Sequence, residues 1–138
     1  MNKVFIDTNV LLYLIDKSSI FNLESEVLLA SLPKVNSIGI INPYIINEFH
    51  YQTCKQYTKT DAIQITNEIL KLENIQYKDI EFTKTDVIKI AKISDKYNLK
   101  TFDAYHAYYC KKEKIKQMAT FDSDFKNIPW LKIYKSLI

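Results

Sequence analysis

Arginine is absent from this 138-residue chain, and all nineteen basic residues are lysines. A chain without guanidinium groups cannot make the bidentate hydrogen bonds by which Arg reads guanine edges. The formal net charge is +3 and the pI is about 8.7, so Lys contacts to phosphate groups remain available. The composition therefore favours recognition of a backbone over recognition of bases, should nucleic acid be a partner.

Glycine occurs once and proline three times, so turns must rely on Asn and Asp. The two cysteines, Cys54 and Cys110, lie far apart without a CxxC motif, which is typical of reduced thiols. No apolar run approaches the roughly 20 residues of a membrane span, and no secretory signal pattern opens the chain. We therefore expect a cytoplasmic, single-domain protein over residues 1–138 that does not insert in a membrane.

Short apolar segments alternate along the chain with longer amphipathic segments. The short segments predict buried strands, and apolar residues at helical spacing predict helices. The predicted strands cover residues 4–6, 37–41, 80–82, 117–120 and 131–134. The predicted helices cover residues 10–15, 23–32, 44–57, 60–72, 85–97 and 104–113. This alternation predicts an α/β fold, in which helices cover both faces of a central, mostly parallel five-stranded sheet.

Acidic residues follow two of the predicted strands. Asp7 comes directly after the first strand, and Asp122 and Asp124 follow the fourth. Because the carboxyl ends of parallel strands share one edge of a sheet, these groups are expected to converge. Asp103 begins the helix that leads into the fourth strand. Glu48 lies among apolar residues of the third helix, where an unpaired carboxylate is costly to desolvate.

Carboxylates that converge in this way repel one another. At an effective dielectric constant near 20, one pair about 4 Å apart costs on the order of 4 kcal/mol. Such a cluster must hold protons, meet Lys or bind a cation. Oxygen ligands suit Mg²⁺ and Mn²⁺, which activate water for attack on phosphodiesters. Each acid also has a plain structural explanation, as a helix-terminal charge, a turn residue or half of an ion pair.

Four short motifs occur in order along the chain. An apolar strand runs into Ile6-Asp7-Thr8-Asn9, and Glu48 lies on an otherwise apolar helix. A later helix begins Asp103-Ala104-Tyr105-His106-Ala107, and a late strand ends in the pattern Thr-x-Asp-x-Asp-Phe at residues 120–125. Together these motifs, which span essentially the whole chain, resemble the PIN-domain family of metal-dependent ribonucleases. Within that family they resemble the VapC-type toxins of bacterial toxin–antitoxin pairs.

The resemblance implies a three-layer α/β/α sandwich and an endoribonuclease that hydrolyses RNA phosphodiesters with Mg²⁺ or Mn²⁺. It implies products with 5′-phosphate and 3′-hydroxyl ends. The acidic residues carried over by position are Asp7, Glu48, Asp103 and Asp122, with Asp124 as a less certain fifth member. The residues implied to support or shape this site are Thr8, Asn9 and Thr120.

The same resemblance implies a small antitoxin protein that blocks the site, and a homodimer. The antitoxin is expected on an apolar surface of the N-terminal helices. Residues 10–15 and the tyrosines Tyr44, Tyr51 and Tyr57 agree with such a surface and agree equally with core packing.

Candidate RNA contacts lie on and beyond the sixth helix. They are Lys111, Lys112, Lys114 and His106. The lysines could track a phosphate backbone, with a plain solvated surface as the alternative. His106 lies one helical turn from Asp103, within reach of a scissile phosphate if both face the same way.

Two other functions fit parts of this pattern. The first is a catalytically inactive PIN-like module that binds RNA or protein, against which the intact acids argue. The second is a receiver-type domain with Asp7 as phosphoacceptor, which leaves Glu48 without a role.

Overall fold

Strands and helices alternate along the chain in the computed structural model, which describes residues 1–136. The strands are β1 (Asn2–Ile6), β2 (Ser37–Ile41), β3 (Ile75–Tyr77), β4 (Gln117–Ala119) and β5 (Lys132–Ile133). The helices are α1 (Thr8–Ile15), α2 (Asn22–Ser31), α3 (Pro43–Thr53), α4 (Lys59–Leu70), α5 (Lys84–Tyr97) and α6 (Thr101–Lys112). Short 3₁₀ helices cover Pro33–Val35 and Ser123–Asn127.

The five strands within residues 1–136 form one parallel sheet in the order β3-β2-β1-β4-β5. From β1 the chain winds out to β3, then crosses back to β4 and β5. Right-handed crossovers therefore place α1 to α4 on one face and α5 and α6 on the other. Contacts of α1 with α2 and α3, and of α5 with α6, agree with this arrangement. The predicted α/β class and three-layer architecture are confirmed.

Strand β1 lies at the centre of the sheet. Its residues Val4, Phe5 and Ile6 are fully buried because helices cover both faces of the sheet. The strand order reverses between β1 and β4, and open α/β sheets bind their ligands at such a switch point. Ile6 pairs with Ala119, so the segments that follow β1 and β4 leave the sheet side by side.

Four predicted strands match observed strands to within two residues, but the strand predicted at 80–82 is wrong. The third strand is β3, five residues earlier. It is an edge strand in which Ile75 is buried whereas Gln76 and Tyr77 are exposed, so it carries no apolar run. The apolar character of 80–82 has another cause, since the Phe82 ring packs against Tyr105 of α6 at a centroid distance of 4.9 Å.

Several helix boundaries also differ from those predicted, and α6 begins at Thr101 rather than at residue 104. Helix α1 begins at Thr8, directly after Asp7, and α3 ends at Thr53 rather than at residue 57. The Asn22 side chain donates to the carbonyl oxygens of Tyr13 and Leu14, at 2.8 and 3.1 Å. It therefore satisfies the open carboxyl end of α1.

No helix within the described residues is long and apolar enough to cross a membrane.

Gly39, the single glycine, allows β2 to pack closely against the side chain that precedes Asp7. A Cβ atom at this position would lie 2.9 Å from Ile6 Cγ1 and 3.3 Å from the Asn74 carbonyl oxygen. Because Ile6 is fully buried, Gly39→Ala is expected to lower the free energy of unfolding by about 1–3 kcal/mol through overpacking. Urea unfolding checks this, and an unchanged midpoint would show that Ile6 moves freely.

Candidate functional site

Asp7 is held at the carboxyl end of β1 by hydrogen bonds to both of its side-chain oxygens. Its backbone N–H donates to the Ala119 carbonyl oxygen at 3.0 Å, which extends the β1–β4 ladder. Its Oδ1 accepts from the Thr8 backbone N–H at 2.8 Å, and its Oδ2 accepts from Thr120 Oγ1 at 2.7 Å. The residue is 8% exposed, so the carboxylate is both oriented and largely desolvated.

Burial raises the pKa of Asp7 to about 6. The hydrogen bonds from Thr120 and Thr8 lower this pKa, whereas the negative charges of Asp103 and Glu48 raise it further. Asp7 also serves as the residue that caps α1. Asp7 therefore both caps α1 and belongs to the group of acids.

Asn9 and Thr120 join the loops that follow β1 and β4. The Asn9 side-chain amide donates to Asp7 Oδ2 at 3.4 Å and to Thr120 Oγ1 at 3.3 Å. Asn9 Oδ1 accepts from the Phe121 backbone N–H at 3.3 Å. The hydroxyl oxygen of Thr120 also accepts from the Asp122 backbone N–H at 3.0 Å, so one threonine orients two of the predicted acids.

Glu48 reaches the site from the second turn of α3. The helix begins with Asn42, whose side chain accepts from the Ile45 N–H at 3.0 Å, and with a proline at its first position. Its buried face is formed by Ile45, Ile46 and Phe49, which leaves Glu48 half-buried. Glu48 Oε2 accepts a hydrogen bond from Thr8 Oγ1 at 2.7 Å. Thr8 thus links the helix carboxylate to the loop that carries Asp7.

Asp103, Asp122 and Asp124 form a second group, called here the aspartate cluster. Each contributes one carboxylate oxygen, and the three oxygens lie within 4.8 Å of one another. Asp103 lies in the first turn of α6, and Asp122 and Asp124 lie at the start of the Ser123–Asn127 turn. Asp122 Oδ1 accepts from the Asp124 N–H at 2.9 Å, so the turn itself sets the spacing of the last two acids.

Electrostatic repulsion connects the aspartate cluster with Asp7 and Glu48. Burial raises the pKa of Asp103, and the charges of Asp122, Asp124 and Glu48 add to this shift, with Lys100 opposing it. The ion pairs found between residues 1 and 136 are Lys78–Glu113 and Lys112–Asp86, so none of the five acids forms an ion pair with a lysine there. The explanation of Glu48 as half of an ion pair is therefore wrong.

This donor set fits a hard divalent cation. Three carboxylate oxygens of the aspartate cluster lie close enough to share one ion, and carboxylates are the ligands that Mg²⁺ and Mn²⁺ prefer. A bound cation would also offset the repulsion among acids that form no ion pair within residues 1–136.

The structure buries His106 in the core. His106 is 3% exposed and packs against the rings of Phe5 and Tyr44, at centroid distances of 5.6 and 5.0 Å. Burial lowers its pKa to about 4, so it is a neutral core residue at pH 7. An RNA contact through His106 has no support in this arrangement.

The three candidate lysines lie at the other end of α6, beside the amino edge of the sheet. Lys112 Nζ is bound to Asp86 Oδ2 at 2.9 Å, and the Lys111 ammonium lies 4.5 Å from the Trp130 ring centroid. Lys114 lies beside Asn2 and Lys3, where β1 begins. The lysines therefore do not surround the acids, and Lys112 has a structural role in joining α6 to α5.

Two aromatic residues near the acids were missed as members of the site. Phe102 precedes Asp103 and is 59% exposed, and its ring packs against Tyr44 at a centroid distance of 5.3 Å. Burial and the nearby charge of Glu48 raise the pKa of Tyr44 to about 12. The signal for Phe102 was its position beside Asp103, but an apolar residue next to an acid is common.

Comparison with known proteins assigns the family. The PIN domain model matches residues 4–131. The chain belongs to the PIN domain family. This PIN domain is 29% identical to Ribonuclease VapC6 of Methanocaldococcus jannaschii, with 97% of each chain covered. It is 30% identical to Ribonuclease VapC2 of the same organism, over 96% of this chain and 93% of that one.

A solved structure shares the fold of this PIN domain. It is VapBC2 from Rickettsia felis bound to a DNA fragment from its promoter. The TM-score is 0.70 at 18% identity, with 98% of this chain and 99% of that chain covered. The family assignment confirms the resemblance drawn from the four motifs.

Proposed function

We propose that this PIN domain is an endoribonuclease that depends on Mg²⁺ or Mn²⁺ and acts as the toxin of a toxin–antitoxin pair. The observation that carries the proposal is the aspartate cluster, whose three oxygens lie within 4.8 Å beside Asp7 and Glu48. The ribonuclease names of the two relatives at 29% and 30% identity support the substrate class.

In this proposal Asp7, Glu48, Asp103 and Asp122 would hold the cation. Asp124, whose oxygen lies within 4.8 Å of those of Asp103 and Asp122, would be a further ligand. A cation bound there supplies positive charge that lowers the pKa of a water molecule and offsets the charge that builds up on the phosphate. Thr8 orients Glu48, while Thr120 and Asn9 orient Asp7. Hydroxyl and amide donors fix the carboxylates without neutralising their charge, which leaves that charge for the cation.

Two features disfavour the alternative functions. Asp7 is 8% exposed and both of its oxygens accept hydrogen bonds, which is a poor arrangement for a phosphoacceptor that an external phosphate must reach. An inactive binding module would have no reason to keep several mutually repelling carboxylates at one edge of the sheet.

The proposed protein partner is a small antitoxin, and we propose the cytoplasm as the location. The Rickettsia felis structure is a VapBC complex, which supports an antitoxin for this chain. The predicted apolar surface at residues 10–15 is wrong in part, since Val10 and Leu11 are fully buried. Tyr51 is 55% exposed and remains available to a partner. A homodimer stays a prediction from family resemblance.

Metal removal tests the proposal directly. Purified protein incubated with total RNA should cleave it in Mn²⁺ or Mg²⁺, lose activity in excess chelator and regain it when Mn²⁺ is restored. The fragments should carry 5′-phosphates, detected by ligation that requires this group. Cleavage that continues undiminished in chelator would contradict the metal mechanism, and fragments with 5′-hydroxyl ends would contradict hydrolysis of the expected kind.

A further inference from the structure

A cleft lies beside the end of α6, away from the acids. It has a volume of about 520 Å³ and is called here the lysine cleft. Its wall is formed by the carboxyl end of α6, the loop that follows and the segment before β5. The lining residues that matter here are Lys111, Lys114, Lys116, Trp130, Leu131 and Lys132. The volume lies within the range of pockets that bind small ligands or parts of larger ones.

The lysine cleft carries positive charge that no acid neutralises. Within the part of the chain that the structure describes, the ion pairs are Lys78–Glu113 and Lys112–Asp86, and none of the four cleft lysines belongs to either. The adjoining surface adds Lys3, whose pKa is lowered chiefly by the neighbouring Lys78. Several like charges around one concave surface favour a ligand that carries several negative charges.

The lysine cleft also contains the only tryptophan of the chain. Trp130 is half-buried, and its indole N–H donates to the Ala107 carbonyl oxygen at 2.9 Å. The Lys111 ammonium lies 4.5 Å from its ring centroid, and the Tyr97 ring approaches it at 5.6 Å in an edge-on arrangement. An anchored aromatic ring among lysines is the combination by which proteins bind single-stranded nucleic acid, with bases on the ring and phosphates on the cations.

Helix α6 connects the lysine cleft with the acids. Asp103 lies in its first turn and Lys111 in its last. Eight residues separate them, which corresponds to about 12 Å along the helix axis. A few nucleotides of extended strand can span this distance, although the strand must pass over the segments that cover α6, since residues 106–110 of the helix are buried.

We propose that the lysine cleft binds single-stranded RNA at a point a few nucleotides from the bond that is cleaved. Trp130 stacks on a base, and Lys111, Lys114, Lys116 and Lys132 contact the flanking phosphates. This inference rests on the proposed ribonuclease function and extends it to how the chain, which has no arginine, holds its substrate.

Binding of a short fluorescein-labelled single-stranded RNA, measured in chelator so that cleavage does not interfere, tests the proposal. The RNA should quench the fluorescence of Trp130 and give the same Kd by quenching and by anisotropy. The pair Lys114→Gln and Lys132→Gln should weaken binding about tenfold at low salt. It should also reduce the slope of log K against log salt by about 1.4, since each single-strand phosphate contact contributes about 0.7.

Matched variants separate a local site from general charge. The pair Lys59→Gln and Lys71→Gln changes two exposed lysines on α4 and beyond it, and should leave binding unchanged. Trp130→Leu should weaken binding about tenfold, whereas Trp130→Phe keeps an aromatic face and most of the affinity. The lysine pair keeps the test valid should Trp130→Leu fail to fold.

The results that overturn the proposal are specific. Binding without quenching, or equal losses from both lysine pairs, would place the RNA elsewhere. Tighter binding of polyglutamate would assign the lysine cleft to an acidic protein segment, and equal binding of duplex DNA would remove the preference for single strands. Quenching without any cleavage in Mn²⁺ would overturn the proposed function and leave the lysine cleft standing. Cleavage without quenching would support the proposed function and overturn RNA binding in the lysine cleft.

Discussion

Asp103→Asn should lower the rate of RNA cleavage by at least about 10²- to 10³-fold, the loss typical when a group that stabilises transition-state charge is removed. Asp103 contributes one of the three oxygens of the aspartate cluster, and its charge also acts on Asp7. Asparagine keeps the size of the side chain but removes the charge that would hold a divalent cation. Cleavage rates measured at several Mn²⁺ concentrations check the prediction, because a weakened site regains part of its activity when the metal is raised.

Two further variants complete this test. Asp95→Asn removes an exposed carboxylate from α5, outside the aspartate cluster, and should leave the rate unchanged. Asp124→Asn should give a smaller loss than Asp103→Asn, because Asp124 is exposed while Asp103 is half-buried. A rate for Asp103→Asn within a factor of two of the wild type, in protein shown to be folded, would exclude Asp103 from the active site.

Without metal, the charged carboxylate of Asp7 should lower the free energy of unfolding at high pH. Its pKa rises from 3.8 to about 6 on folding, so the folded state binds more protons than the unfolded state between these values. The penalty is absent below about pH 4, grows as the pH rises and is complete above about pH 6. Its full size is on the order of 3 kcal/mol. Deprotonated Asp7 therefore destabilises the metal-free protein at neutral pH.

The comparison of wild type with Asp7→Asn isolates this effect. His106 acts in the opposite direction, since its pKa falls from 6.5 to about 4 on folding and its contribution to stability grows over the same pH range. That contribution is present in both proteins and cancels in the difference. Urea unfolding in chelator should show Asp7→Asn gaining stability relative to wild type between pH 4 and pH 8.

Asp7→Asn also alters the hydrogen bond from the Thr120 hydroxyl, so the quantity compared is the change with pH of the stability difference between the two proteins. Mn²⁺ should stabilise the wild type more at pH 8 than at pH 5, since it favours the charged carboxylate. A difference between the two proteins that stays constant with pH would show that Asp7 keeps an ordinary pKa on folding.

The convergence of Asp7 and Asp122 at one edge of the sheet could be predicted because it follows from topology alone. Asp7 ends β1 and Asp122 follows β4, and parallel strands bring such positions to one edge regardless of side-chain detail. Asp103 meets them for a related reason, since it lies in the first turn of the helix that returns to β4. Glu48 needed the apolar face of α3, whose buried residues are visible in the sequence.

Other parts of the fold left no clear signal in the sequence. Strand β3 is short and mostly exposed, so neither length nor alternation marks it. Helix α6 is buried at half of its twelve positions, which weakens the periodicity that would have placed His106 in the core. The separation of Lys111 from Asp103 could have been deduced from the sequence. A residue eight positions beyond Asp103 on a helix lies about 12 Å away and cannot share its environment.

The hydrogen bond between Asp7 and Thr120 joins residues that are 113 positions apart, and this separation sets an order for biosynthesis. At about 5–20 residues per second, the ribosome adds Thr120 roughly 6–23 s after Asp7. Until then, β1 lacks its neighbour β4, and Asp7 lacks both its hydroxyl donor and the later acids. The acidic site is therefore complete only after Asp124 has been translated.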